Sequence, residues 1–462
     1  MPKKKNKRDD DDYEDDDDYE DEDYEDEDEN DKEKKIVFIL KNNKFSDNKK
    51  KITKKPDKKY AKILENFHDE EIEYFNKLDT DSKNKIVESQ KSINAENVFS
   101  INEPFRFKFL LMNTTLTNKF ILINKYEQLC KMSPYSGEYV KLYNWINIAS
   151  KLPLGKYKKL DINYNNSNEE ISKYLINMRE KLDEEVYGHT DAKSQIIRIL
   201  SQWISFPSAK GYIIGIHGSM GIGKTKLIKE GISKVLNFPF SFISLGGISD
   251  SSYLTGHLYT YEGSKYGKIV ECLIKTQVMN PIIFFDELDK VSDTKSGEEI
   301  INTLIHLTDS TQNEKFTDKY MEEIDLDMSK SLIFFSYNDE NMINPILRDR
   351  MITIKVKGYN TEDKIKIARD YLIKDILKEY NIQNDEIVFT DDVIKFIIEN
   401  TNEEEGVRNL QRSLNNIISH INMFKYIPDK NVKIDKLVSI DFCEKYCKKT
   451  CDNNYAKHSM YL

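Results

Sequence analysis

The sequence predicts an α/β fold: a parallel αβα sandwich carrying a phosphate-binding loop, followed by a small α-helical domain. A mainly helical region and an acidic tail precede it. Three observations carry the prediction. Between Gly211 and Lys357, short apolar strands alternate with helical stretches, at Tyr212–His217, Phe240–Leu245, Ile282–Phe285, Leu332–Tyr337 and Ile352–Val356. Such alternation means βαβ units and a parallel sheet. The first strand runs into G-x-x-x-x-G-K-T, and the third ends in two adjacent carboxylates.

The loop comprises Gly218, Ser219, Met220, Gly221, Ile222, Gly223, Lys224 and Thr225. Glycines at 218, 221 and 223 let successive backbone N–H groups turn inward around phosphate oxygens. Lys224 supplies a compact positive charge for the β- and γ-phosphates, and the Thr225 hydroxyl suits Mg²⁺. The amphipathic helix that follows, Lys224 to Val235, points its positive dipole end at the anion. A nucleoside triphosphate with Mg²⁺ is the ligand this pattern calls for. A chance glycine-rich turn is the bland reading; a strand before and an amphipathic helix after argue against it.

The run Pro281-Ile282-Ile283-Phe284-Phe285 precedes Asp286-Glu287. An uninterrupted apolar run suits a strand buried on both faces, and ligands in such sheets sit beyond the strand's carboxyl end. Asp286 is therefore placed to hold Mg²⁺, and Glu287 to polarise the attacking water.

The net charge of −10 is unevenly spread. Residues 9–31 hold 19 Asp or Glu in 23 positions, interrupted by Tyr13, Tyr19, Tyr24 and Asn30. Residues 33–462 hold 64 basic and 61 acidic side chains, close to balance. Residues 1–34 are expected to be a disordered, solubilising tail, with a docking arm for basic partners as the alternative. Its opening cluster, Lys3-Lys4-Lys5-Asn6-Lys7-Arg8, has the composition of a nuclear import or nucleic-acid patch. No apolar stretch approaches the ~20 residues that span a bilayer, and no signal peptide is visible. A soluble, intracellular, cytoplasmic protein is expected, with a nuclear location as a variant.

Residues 35–164 read as mainly helical, including Leu116 to Cys130 and Ser136 to Ala149, and Tyr164–Asn168 as a linker. Helical character resumes from Glu169 to Trp203, interrupted at Val186-Tyr187-Gly188. The large α/β subdomain is assigned to 170–357 and the small helical one to 358–430. Its helices are expected at Thr361–Tyr380, Thr390–Glu399 and Gly406–Phe424, the first two with Thr as N-caps. Residues 431–462 form an extension. The five cysteines, sparse and odd in number, argue against structural disulfides. Cys443, Cys447 and Cys451, with His458 beyond, suit one side of a helix better than a zinc site, which usually uses C-x₂-C.

The order of these segments resembles the AAA+ ATPases, and specifically the ATPase module of Lon-type ATP-dependent proteases, over roughly residues 180–425. The resemblance rests on Val186-Tyr187-Gly188-His189, the phosphate loop, Ile243–Asp250, Thr255-Gly256-His257 and Phe285–Lys290. Leu347–Met351 and Gly406-Val407-Arg408-Asn409-Leu410 continue it. It implies an AAA+ sandwich with a helical lid. It also implies roles: Asn338 as sensor 1, Arg350 as a finger reaching into a neighbouring subunit's site (Arg348 its rival), and Arg408 as sensor 2. Tyr187 and Gly188 would line the adenine pocket. The family implies a homo-hexameric ring whose channel loop grips unfolded protein. Tyr261 occupies that loop here, with Glu262 where the family usually has an aliphatic residue. No segment like the family's serine–lysine proteolytic domain follows, so a motor without its own peptidase is expected, possibly feeding a separate one. The alternatives are a protease with an unrecognised active site, a DNA-directed ATPase and a scaffold without turnover.

Overall fold

The computed structural model describes residues 69–96, 103–207, 209–383, 386–427 and 436–446. The acidic tail, the basic cluster, the run Ile36 to Leu40, Cys447, Cys451 and His458 lie outside them. Two compact units divide at Val98 and Phe99. In the first, helices α1 (Asp69–Lys77) and α2 (Thr80–Glu96) bury Phe75 and Val87 against each other. Asp79 turns the chain between them by accepting the Ser82 N–H at 3.0 Å.

The second unit begins with α3 (Phe105–Leu111), α4 (Leu116–Lys131) and α5 (Gly137–Ala149). Thr115 and Ser136 cap α4 and α5, their hydroxyls accepting the backbone N–H three residues on. Next come α6 (Asn168–Glu185), opened by a Ser167/Glu170 capping box, and α7 (Thr190–Ser205). The strands are β1 (Ile213–His217), β2 (Phe240–Ser244), β3 (Ile282–Asp286), β4 (Leu332–Tyr337) and β5 (Ile352–Lys355). They form one sheet in the order β2-β3-β4-β1-β5, with every pairing parallel. Each strand falls within a residue or two of its expected span.

Alternation divides the central strands between two cores. Ile283, Phe285, Ile333, Phe335 and Tyr337 face one layer, which holds α10 (Lys268–Thr276) and α11 (Lys295–Thr308). Short α9 (Ser252–Thr255) lies before α10. The same core takes in Phe109, Leu122, Leu142, Trp145 and Ile146 of the helices α3 to α5. Ile282, Phe284, Leu332, Phe334, Ile214 and Ile216 face the other layer, against α6, α7 and α8 (224–236). Helix α8 passes through π geometry at Leu227–Ser233.

After α12 (Pro345–Asp349) and β5 the chain enters a helical lid. This comprises α13 (361–379, with a π turn at Ala368–Leu372), α14 (Asp391–Asn400), α15 (Arg408–Tyr426) and α16 (Ile440–Tyr446). Thr390 caps α14 as expected. Thr361 does not cap α13. Asn360 does, in a reciprocal box with Asp363 whose N–H it accepts at 2.7 Å. Helix α15 starts two residues later than expected because Gly406 and Val407 are spent on the phosphate loop, where Val407 N–H donates to the Gly221 carbonyl at 3.1 Å. Cys443 is buried in the lid core, and no metal-ligating cluster occurs among the described residues.

Candidate functional site

The sheet order places the site. Strand β4 lies between β1 and β3, so the residue after β4, Asn338, stands between the phosphate loop and Asp286. Gly221 and Gly223 take φ of +76° and +84°, values open to glycine at little cost. They bend the loop over the first turn of α8. Lys224 is buried there, and its Nζ donates to the Asn338 Oδ1 at 2.6 Å and to the carbonyls of Gly218 and Ser219 at 2.5 and 3.2 Å. Burial pulls its pKa down, against the charges of Asp286 and Asp289.

Asp286 ends β3 and accepts the Ser336 hydroxyl and the Glu287 N–H. Ser336 is the one polar side chain in the otherwise apolar β4, a signal the motif reading passed over. Glu287 adopts φ +60°, a left-handed value uncommon outside glycine, which turns its carboxylate off the strand line and over Gly246. A cavity of 360 Å³ is lined by the loop from Met220 to Lys226, by Asp286, Glu287, Ser336 and Asn338, and by the lid residues Leu372, Val407, Arg408 and Gln411. Thr225 and Asp286 face it with oxygen donors of the kind Mg²⁺ prefers, and the glycine-bent loop with Lys224 supplies the anion cradle. The residues present therefore fit the triphosphate of a nucleotide with Mg²⁺.

The lid lies directly on the loop. A Cβ on Gly221 would come within 2.9 Å of Arg408 Cβ, and one on Gly406 within 2.5 Å of Gly221 backbone carbon. The Ser219 hydroxyl donates to Glu405 of the lid. Behind the loop, the Ile222 carbonyl receives the Tyr359 hydroxyl at 2.9 Å and lies 2.9 Å from His189 Nε2. Burial drives the His189 pKa down to about 4, so the ring is neutral and serves as an N–H donor. Sequence reasoning missed this clamp, because His189 and Tyr359 are 170 positions apart.

Tyr187 and Gly188 lie on the linker before α7. The Tyr187 hydroxyl donates to Asp363 of the lid at 2.7 Å, a bond that raises its pKa to about 12. Arg350 is not brought to the cavity. Its guanidinium is held within its own chain, donating to Asp309 Oδ2 at 2.9 Å and to the Ile305 carbonyl at the end of α11. Arg348 is exposed. Tyr261 stands in a surface turn, its side chain 64% exposed.

Fold and site together define a P-loop ATPase. Residues 214–359 match the ATPase family associated with various cellular activities (AAA), and residues 378–433 match the Lon protease AAA+ ATPase lid domain. The chain thus carries an AAA ATPase domain followed by a lid of the Lon kind. It is 41% identical over 293 residues to a Lon protease homolog of Acanthamoeba polyphaga mimivirus, covering 62% of this chain and 28% of that protein. It is 34% identical over 294 residues to the Lon protease of Cytophaga hutchinsonii, covering 64% and 34%. With the human mitochondrial Lon protease homolog it shares 30% identity over 337 residues, covering 72% and 33%. The chain spans about a third of the length of these relatives. No described helix is long and apolar enough to cross a membrane.

Proposed function

We propose that this chain is a Lon-type ATP-driven motor that hydrolyses ATP in a ring and uses the resulting motion to unfold or remodel protein substrates. The observation that supports it most is the convergence of Lys224, Asp286, Glu287 and Asn338 at the ends of neighbouring strands, with Arg408 of a separate subdomain overhead.

Lys224, held by carbonyls and by Asn338, exchanges those partners for phosphate oxygens. Glu287 orients and polarises the attacking water, and the neutral amide of Asn338 fixes the water or the γ-phosphate. Bound Mg²⁺ would neutralise charge on the phosphates, held by Thr225 and Asp286. Arg408 rides on the lid and couples phosphate occupancy to lid position. Arg350 leaves Asp309 to reach a neighbour's phosphate, where a planar guanidinium suits the spread transition-state charge. Tyr261 grips polypeptide by apolar contact. Proteolysis, for which the matched relatives are named, is assigned to no residue of this chain.

The test is Glu287→Gln. The variant should bind ATP with Mg²⁺, form a stable ring and retain unfolded casein while releasing no phosphate. Normal turnover would refute the assignment of Glu287, and a monomer at every ATP concentration would refute the ring.

A further inference from the structure

The turn that carries Tyr261 is anchored just ahead of its tip by side chains from outside the ATPase sheet. At its root, Gly267 N–H donates to Asp318 Oδ2 at 2.8 Å and His257 N–H to the Lys265 carbonyl at 3.1 Å. Those contacts hold the base of the turn and do not reach the tip. The tip is held by the helices that precede the sheet. Lys141 of α5 donates to the Thr260 carbonyl at 2.9 Å. Lys125 of α4 donates to the Tyr259 hydroxyl at 3.1 Å, with its Nζ 5.0 Å from the centre of that ring and 5.5 Å from that of Trp145.

Lys125 is only 13% exposed and pairs with Glu323 at 2.5 Å. A charge so enclosed needs its partners, so the Lys125–Glu323–Tyr259 arrangement has one favourable geometry rather than many. Tyr259 also packs against Trp145 and meets Tyr320 edge-on at 6.3 Å, while Trp145 Nε1 donates to the Tyr320 carbonyl at 2.9 Å. Residues 259 and 260 are thus fixed to α4 and α5, while Tyr261 itself projects into solvent. An ordinary surface turn keeps its tip hydrated and mobile.

We propose that Lys125 and Lys141 are positioning residues for polypeptide handling: they lock the Tyr259–Thr260 tip to α4 and α5, so that force on Tyr261 is borne by the helical segment instead of being lost in loop motion. This rests on the reading of Tyr261 as the gripping residue and adds the element that makes the grip stiff. Neither lysine touches the nucleotide cavity, so their loss should separate handling of polypeptide from basal chemistry.

The experiment uses the full chain and four variants, Lys125→Met with Lys141→Ala as a pair, Lys125→Arg, Tyr259→Phe and Tyr261→Ala. ATP hydrolysis is measured with and without unfolded casein, alongside the ATP-dependent unfolding rate of a tagged fluorescent protein. The lysine pair should keep basal hydrolysis within twofold and lose at least tenfold in unfolding rate, with the maximal rate falling more than the half-saturating substrate concentration rises. Lys125→Arg, which keeps the cation and the Glu323 pair, should restore most of the Lys125 share. Tyr259→Phe removes only the hydroxyl and should lose about threefold, which decides the matter if the lysine pair folds poorly. Loss of unfolding in Tyr261→Ala with wild-type behaviour of the lysine pair and of Tyr259→Phe would overturn the brace alone. Wild-type unfolding by Tyr261→Ala would overturn the gripping role on which it rests.

Discussion

Replacing Gly246 by Ala tests the placement of Glu287 without touching the glutamate. An added Cβ would lie 2.1 Å from Glu287 Oε2 and 3.3 Å from its Cδ. Carbon and oxygen rest no closer than about 3.3 Å, so the carboxylate must swing away by about 1.2 Å. The obstacle is the far end of a flexible side chain, so the fold should absorb it at an off-rotamer cost of about 0.5–1.5 kcal/mol. Catalysis is less forgiving, because a 1 Å misplacement can cost about 10²-fold, or about 2.7 kcal/mol in the barrier. Gly246→Ala should therefore melt within a few degrees of the parent and bind a fluorescent ATP analogue with unchanged affinity. Phosphate release in a single turnover should be slower by about 10². Unchanged release with intact binding would refute the catalytic place proposed for the carboxylate over Gly246.

Gly406→Ala should fail differently, because its Cβ meets the backbone of Gly221 and Met220 at 2.5 Å and neither can step aside. The lid must lift, so nucleotide affinity should drop at least tenfold, and unchanged affinity by titration calorimetry would sink the closed lid. Arg350→Ala should bind nucleotide but turn over slowly, and mixing it with Lys224→Ala, whose finger is intact, should restore part of the rate; mixed assemblies with no gain would rule out action in trans. His189 should set an acid limb in stability. Its folded pKa of about 4 lies below the ordinary 6.5, so the unfolded chain takes up the proton first. Its contribution is full above about pH 6.5 and fades as the pH falls toward 4, by up to about 3 kcal/mol. His189→Asn keeps a residue tolerant of the left-handed backbone at this position, and should flatten the denaturation midpoint between pH 4.5 and 7.5. Equal slopes in parent and variant would count against a buried neutral imidazole.

What could be read in advance was local, and what could not was long-range. The phosphate loop needs only its own glycines, and the five strands declare themselves by runs of apolar residues too short for helices and bounded by turns. The cap of α13 was legible too: in Asn360-Thr361-Glu362-Asp363 an acidic residue three places after Asn marks Asn360, not Thr361, as the first half of a capping box. By contrast, nothing near Arg350 in the chain announces Asp309, 41 positions earlier. Nor does the spacing of Lys125 from Tyr259, 134 positions, carry any periodic signal.

The distinction has a mechanical side. Lys224 and Asp286 sit on or beside a rigid sheet whose register follows from strand order, so their placement was inherent in the topology once the strands were ordered. Arg350, Arg408 and Tyr261 stand just after α12, on the lid and on a turn, each outside the sheet. Their positions are set by a few long-range contacts: Arg350 by Asp309 and the Ile305 carbonyl, Arg408 by the packing of Gly406 on Gly221, and the Tyr261 turn by Lys125 and Lys141. The proposed motor needs both kinds. Groups that hold phosphate must not move with respect to one another, whereas groups that report on a neighbour or a lid must be able to exchange partners. Of the residues hardest to place from sequence, Arg350 and Arg408 are thus the ones the proposed cycle requires to move, while Tyr261 needs its turn held.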